Sequence, residues 1–205
     1  MNVLIFGATR NTGLETARLL RERGDTLFAV VRPSAQTPPL QALGARLIAG
    51  DAFDQPGLIA VLKGLAIDSA ICSLGNTASA PDKVDHIGVA NVVNACKTSG
   101  IKRFLLVSSI GAGNSRPALS PQAERFLGPV CALKTLGENH LIASGLDYTI
   151  IRPGGLGRGP ASGRGILTED PTISGGIQRT EVARLIVACL DDAKTIGKIY
   201  SAVER

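Results

Sequence analysis

From Val3 to Gly13 the chain reads Val3-Leu4-Ile5-Phe6-Gly7-Ala8-Thr9-Arg10-Asn11-Thr12-Gly13. Four consecutive apolar residues with no polar alternation predict a strand covered on both faces, the mark of a parallel sheet. Gly7 ends the run and permits a tight turn. Leu14, Ala17 and Leu20 then fall on one helical face until Gly24 stops the helix. The glycine-rich turn thus lies between a strand and a helix. Gly7 allows close backbone approach of a phosphate, Gly13 lets helix and strand pack tightly, and the uncapped amides and dipole at the helix start favour a pyrophosphate.

The same alternation continues outward. Strands are expected at Thr26–Val31, 45–49, 67–74, 103–109, 148–152 and 199–203, with helices near 55–63, 87–100, 131–144 and 180–191. Repeated strand–helix units predict one α/β domain over 1–205, a doubly wound Rossmann-like parallel sheet with right-handed crossovers. The Pro- and Ser-rich stretch 33–39 is expected as a loop. Residues 153–165, PGGLGRGPASGRG, hold six glycines in thirteen positions and begin where a strand ends. In open α/β sheets ligands bind at that edge, so a substrate or lid loop is expected over about 153–176; a disordered linker is the plainer reading. Gln178-Arg179-Thr180-Glu181 reads as a helix start capped by Thr180.

Composition narrows the classes. Of 205 residues 44% are hydrophobic and 19% charged, which is globular; aromatics are 3% with no Trp, which disfavours an aromatic-stacking RNA binder. Net charge is +5, and the excess lies beyond residue 100, where 13 Lys/Arg face 9 Asp/Glu. That excess is either a solvated basic surface or a pocket for an anion. No nucleic-acid motif, signal peptide or membrane span is read, so a cytoplasmic protein without nucleic-acid or membrane partners is expected. Cys72, Cys96, Cys131 and Cys189 are widely spaced in apolar settings, as reduced buried thiols are, and no metal site is expected. A monomer is favoured, since no long exposed apolar stripe is evident.

Two departures from the usual dinucleotide turn point to the cofactor. Arg10 stands where a third glycine is common, and the second strand runs into Arg32, where an acid would hold the ribose 2′-hydroxyl of NAD. Two arginines there match a 2′-phosphate, so NADP(H) is expected over NAD(H). The competing reading leaves both as solvated surface residues.

At this point the chain resembles the atypical short-chain dehydrogenase/reductase superfamily, in its NmrA-like and biliverdin-IXβ/flavin reductase-like branch. The carrying residues are FGATRNTG at 6–13, VVRPS at 30–34, GDAFD at 50–54, SLGNT at 73–77, LLVSSIGAG at 105–113, Lys134 with Glu138, and SGLDYTIIRPGGL at 144–156. The resemblance implies that Gly7, Thr9, Arg10, Asn11, Thr12 and Gly13, with Arg32 and Ser34, hold the phosphates. It puts Asp51 and Ala52 beside the adenine, and Leu74, Gly75 and Asn76 along the cofactor's middle. Ser108, Pro153 and Gly154 then lie at the nicotinamide end, with Lys134 on its ribose.

Many members of that superfamily use a Ser with a Tyr four residues before a Lys. Here Ser109 and Lys134 are the candidate catalytic residues, but the Tyr position is Val130. Alcohol oxidation and sugar-nucleotide epimerisation, which need the phenol, are disfavoured. Hydride transfer to a planar conjugated acceptor (a flavin, a quinone or a biliverdin-like tetrapyrrole) does not need it. A flavin then enters as substrate and not as bound cofactor, with Ser109, Arg158 and Arg164 as substrate contacts. The alternative is a non-catalytic NADP(H)-binding redox sensor of NmrA-like type. Plainer roles also stand: Ser108 and Ser109 as strand caps, Lys134–Glu138 as a surface ion pair, and His86 and His140 as solvent-facing or packed helix residues.

Overall fold

In the computed structural model, which describes residues 1–75 and 83–205, the expected alternation forms ten strands and six helices. The strands are β1 (Asn2–Phe6), β2 (Thr26–Val31), β3 (Arg46–Ala49), β4 (Ser69–Cys72), β5 (Arg103–Val107), β6 (Asp147–Pro153), β7 (Gly155–Gly157), β8 (Gly165–Thr168), β9 (Gly176–Gln178) and β10 (Lys198–Glu204). The helices are α1 (Asn11–Arg23), α2 (Pro38–Ala42), α3 (Gln55–Leu62), α4 (Ile87–Thr98), α5 (Pro121–Ala143) and α6 (Arg179–Leu190). Eight strands form one sheet in the order β3-β2-β1-β4-β5-β6-β10-β8. All neighbours pair in parallel except β8, which runs antiparallel on β10. The architecture is Rossmann-like, and the parallel sheet carries an antiparallel edge strand that its periodicity does not announce.

Residues successive along a strand point to opposite faces, and both faces are filled. Val3, Ile5, Ala29, Leu105 and Ile151 join Ala17, Leu20, Val182 and Ile186 under α1 and α6. Leu4, Phe6, Phe28, Phe104 and Ile150 join Leu58, Val92, Val93 and Leu141 under α3, α4 and α5. The continuous apolar run at 3–6 is therefore a consequence of double coverage. All four cysteines are free and buried. Burial pushes the Cys72 thiol up to about 12 and Cys189 to about 11, so neither ionises near neutrality.

Four expectations need correction. The stretch read as a loop at 33–39 runs into the short helix α2, started by Pro38. Helix α5 begins ten residues before the expected 131, because Ser120 caps it by accepting the Ala123 amide at 3.1 Å and Pro121 occupies its first turn; the internal Pro129 misleads a reading by breakers. The glycine-rich segment after β6, expected as a substrate or lid loop with a disordered linker as the plainer alternative, carries short strands and is tied in place. There β7 pairs with β9, β8 joins the main sheet, and buried Glu181 accepts the amides of Gly163 and Gly165 at 3.1 and 2.8 Å. Finally, Gln178, not Thr180, precedes α6 as its cap residue, and the Thr180 hydroxyl donates instead to the Gly159 carbonyl at 2.7 Å.

Candidate functional site

Because β1 to β6 run parallel, the turns that follow them emerge at one edge of the sheet. In register, Phe6 lies opposite Val30 and Cys72, Cys72 opposite Leu106, and Val107 opposite Ile151. Gly7–Gly13, Arg32 and Ser34, Asp51 and Ala52, Leu74 and Gly75, Ser108 and Ser109, and Pro153 and Gly154 therefore share that edge. The strand order reverses between β1 and β4, which is where open α/β sheets form their ligand crevice. Asn76 lies outside the described residues.

The turn after β1 is shaped by two contacts that admit no side chain. Gly7 has φ +82°, and a Cβ there would lie 2.6 Å from the Ser73 carbonyl oxygen. A Cβ at Gly13 would lie 2.1 Å from the Gly7 carbonyl oxygen, so α1 rests directly on the turn. Asn11 opens the helix with φ +52°, the left-handed region that Asn tolerates. Arg10, in the cap position, makes no side-chain cap bond, and the first helical bond of this turn runs from Leu14 to the Arg10 carbonyl at 3.3 Å. The amides of Asn11, Thr12 and Gly13 thus precede the intrahelical ladder. No acidic residue stands in the first turn, leaving the positive end of the dipole uncompensated. Arg10 and Arg32 are exposed, and among the described residues neither side chain has a hydrogen-bond or ion-pair partner. Thr9 is half-buried and Thr12 buried, while Ser34 is exposed.

Beyond β3 the chain turns on Asp51, whose carboxylate accepts the Phe53 amide at 2.9 Å, and Asn91 of α4 donates to the Ala52 carbonyl at 2.9 Å. Past β4, Gly75 is exposed; the nearest atoms to a Cβ built there are Lys134 Nζ at 3.9 Å and Asp85 Oδ1 at 4.0 Å. Lys134 is thereby brought from α5 to the edge. It is paired with Asp85 at 2.7 Å, and the Asp85 side chain is fully buried. The approach is set by Gly137, where a Cβ would lie 2.4 Å from the Asp85 carbonyl oxygen.

The Lys134–Glu138 surface pair is not formed. Glu138, buried, instead takes Arg152 bidentately at 2.9 and 2.7 Å, and Arg152 Nη1 donates to Asn114 Oδ1 at 2.6 Å. Asp85, Arg152 and Asn114 are thus partners of the α5 side chains that motif reading misses. A charge inside the apolar strand Tyr148–Pro153 is the signal that a buried partner must exist.

Beyond β5, Ser108 is buried and its hydroxyl has no partner among the described residues. Ser109 is half-buried and donates to the Ile110 carbonyl at 3.0 Å. Pro153 is buried, its carbonyl accepting the Ile110 amide at 2.9 Å, and Gly154 packs so closely that a Cβ would lie 2.2 Å from the Gly175 carbonyl oxygen. Arg158 and Arg164 are exposed on the segment between β7 and β8. His140 is half-buried and bonded to Asn94 Oδ1 at 2.8 Å; burial lowers its pKa. His86 stands just before α4. Among the described residues no helix is long and apolar enough to cross a membrane.

An orphan hydroxyl, an uncapped acid-free helix start and two arginines unpartnered among the described residues suit an anionic dinucleotide at one edge. Comparison with known proteins agrees. Residues 7–193 match the family model described as NAD(P)H-binding. A solved structure of ChuY, an anaerobillin reductase from Escherichia coli O157:H7, is 30% identical, with a TM-score of 0.90 over 100% of this chain and 97% of that one. YhfK of Bacillus subtilis, named an uncharacterized sugar epimerase, is 33% identical over 100% of this chain and 94% of its own length. An NAD(P)H azoreductase of Xenophilus azovorans is 32% identical over 74% of this chain and 47% of its own. The chain is a member of the NAD(P)H-binding family, and its fold is Rossmann-like.

Proposed function

We propose that this protein is an NADPH-dependent reductase of a planar conjugated acceptor such as a flavin, a quinone or a biliverdin-like tetrapyrrole. The observation that carries the reading is the start of α1, bare of capping side chain and acid and flanked by Arg10 and Arg32, which have no partner among the described residues. The amides from Asn11 to Gly13 take the pyrophosphate, Thr9 and Thr12 line it, and Arg10, Arg32 and Ser34 hold the 2′-phosphate. Asp51 and Ala52 flank the adenine, while Leu74 and Gly75 run along the middle. Ser108, Pro153 and Gly154 border the nicotinamide. The cofactor, when bound, supplies the hydride.

Lys134, steered by Asp85, donates to the ribose hydroxyls. Ser109 turns its hydroxyl from the Ile110 carbonyl to a polar atom of the acceptor, and Arg158 and Arg164 meet acidic substituents. A conjugated acceptor spreads the incoming charge, and water supplies the proton, so no phenol is needed. Helix α5, which carries Lys134, has no Tyr, with Val130 one turn before the lysine. That argues against the epimerase reading, and the similarity to proteins named anaerobillin reductase and azoreductase supports reduction. The test is Ser109→Ala. Loss of one hydrogen bond to the acceptor lowers kcat roughly two- to tenfold with NADPH KM unchanged; unaltered turnover removes Ser109 from the active site.

A further inference from the structure

A recess of about 240 Å³ opens over β6 and β10 on the α5 side of the sheet, lined by Asn114, Arg152, Glu169, Pro171, Ile199 and Ser201, with Gly197 at its end. Its chemistry is ordered from floor to rim. Arg152 and Ser201 are each 3% exposed. A guanidinium carries five N–H donors; Glu138 and Asn114 engage three of those on Arg152, leaving two. Because Asn114 Oδ1 accepts from Arg152, its amide nitrogen is the group left to face a ligand, and it can only donate. The Ser201 hydroxyl has no side-chain partner among the described residues. The floor is therefore rich in donors. The rim holds a carboxylate, Glu169, whose partner is the exposed Lys198 at 3.0 Å. Pro171 and Ile199 add apolar wall. With roughly 30 Å³ per water, the volume suits a molecule of several heavy atoms.

We infer that this recess is a second small-molecule site, separate from the dinucleotide crevice, for a small zwitterion of the free amino-acid class. Its carboxylate lies on Arg152, Asn114 and Ser201, its ammonium faces Glu169, and a short aliphatic side chain packs on Ile199 and Pro171. This does not depend on the reductase reading.

The experiment is an isothermal titration of the full chain with alanine, acetate and ethylamine as separate probes, with and without saturating NADP⁺. Alanine binds, acetate binds more weakly, ethylamine does not, and NADP⁺ does not compete. Ser201→Ala weakens alanine about fivefold, and Asn114→Asp, which turns a carboxylate oxygen to the ligand, weakens it more than about tenfold. Glu169→Gln removes the advantage of alanine over acetate. Absence of alanine binding overturns the inference, as does binding that NADP⁺ displaces or that the Ser201 and Asn114 variants leave unchanged. Acetate binding as tightly as alanine overturns the zwitterion assignment.

Discussion

Replacing Glu138 with Ala separates two accounts of the same helix by an order of magnitude. If Glu138 only met Lys134 one turn away on a wet surface, its loss would cost about 0.3–0.5 kcal/mol. In the structure its side chain is 1% exposed and clasps the guanidinium of the likewise buried Arg152. Truncation strands that buried cation with Asn114 as its remaining partner, and removing one member of a buried pair costs about 3–5 kcal/mol. At about 2–4 °C per kcal/mol for a domain of this size, Tm falls by roughly 6–20 °C. Urea unfolding followed by circular dichroism, with calorimetry alongside, reads both quantities. The paired change Glu138→Leu with Arg152→Met restores much of the loss, since an apolar pair leaves no naked charge. A cost below about 1 kcal/mol for Glu138→Ala would refute the reasoning.

Four further outcomes follow from the same geometry. Arg32→Ala weakens NADPH binding about ten- to hundredfold, the worth of a charge-assisted hydrogen bond, and leaves NADH unchanged; equal losses for both, by fluorescence titration, would remove Arg32 from the 2′-phosphate. Gly13→Ala forces α1 off the turn, because the clash is with backbone, and costs about 1–3 kcal/mol together with dinucleotide affinity. Gly24→Ala, at φ +93° with open space around it, lowers stability and spares binding. Glu181 has its pKa held below the ordinary 4.5, chiefly by the hydrogen bond from Arg184, against the opposing effect of burial, and also by the amides of Gly165 and Gly163. Its contribution is complete above the unfolded pKa and is lost as pH falls through the lower folded value. Amide exchange at Gly163 and Gly165 should therefore rise below about pH 4.5, and at neutral pH already in Glu181→Gln; unchanged protection in that variant would contradict the latch.

Much of the sheet is legible because doubly covered strands must be continuously apolar, as at Val3–Phe6, Thr26–Val31 and Arg103–Val107. The segment after β6 is not legible. Its order comes from Glu181, Thr180 and Arg179, which reach backbone carbonyls and amides 16 to 23 residues away, and glycine content says nothing of such ties. In the site, the phosphate turn is readable since Gly7 and Gly13 are demanded by local contacts. The partners of Lys134 and Glu138 are not, because Asp85 and Arg152 arrive from other elements while helical spacing offers a nearer match. Only the burial of a charge in Tyr148–Pro153 hints at it.

The central claim is reduction of a planar acceptor at the expense of NADPH, and one steady-state measurement meets it directly. NADPH consumption is followed spectrophotometrically with FMN, riboflavin, biliverdin and a quinone as acceptors, with NADH in parallel. Turnover is expected on at least one of these acceptors, with NADPH preferred over NADH. Saturable NADPH binding with no acceptor consumed would contradict it and mark the protein as a sensor of the bound cofactor.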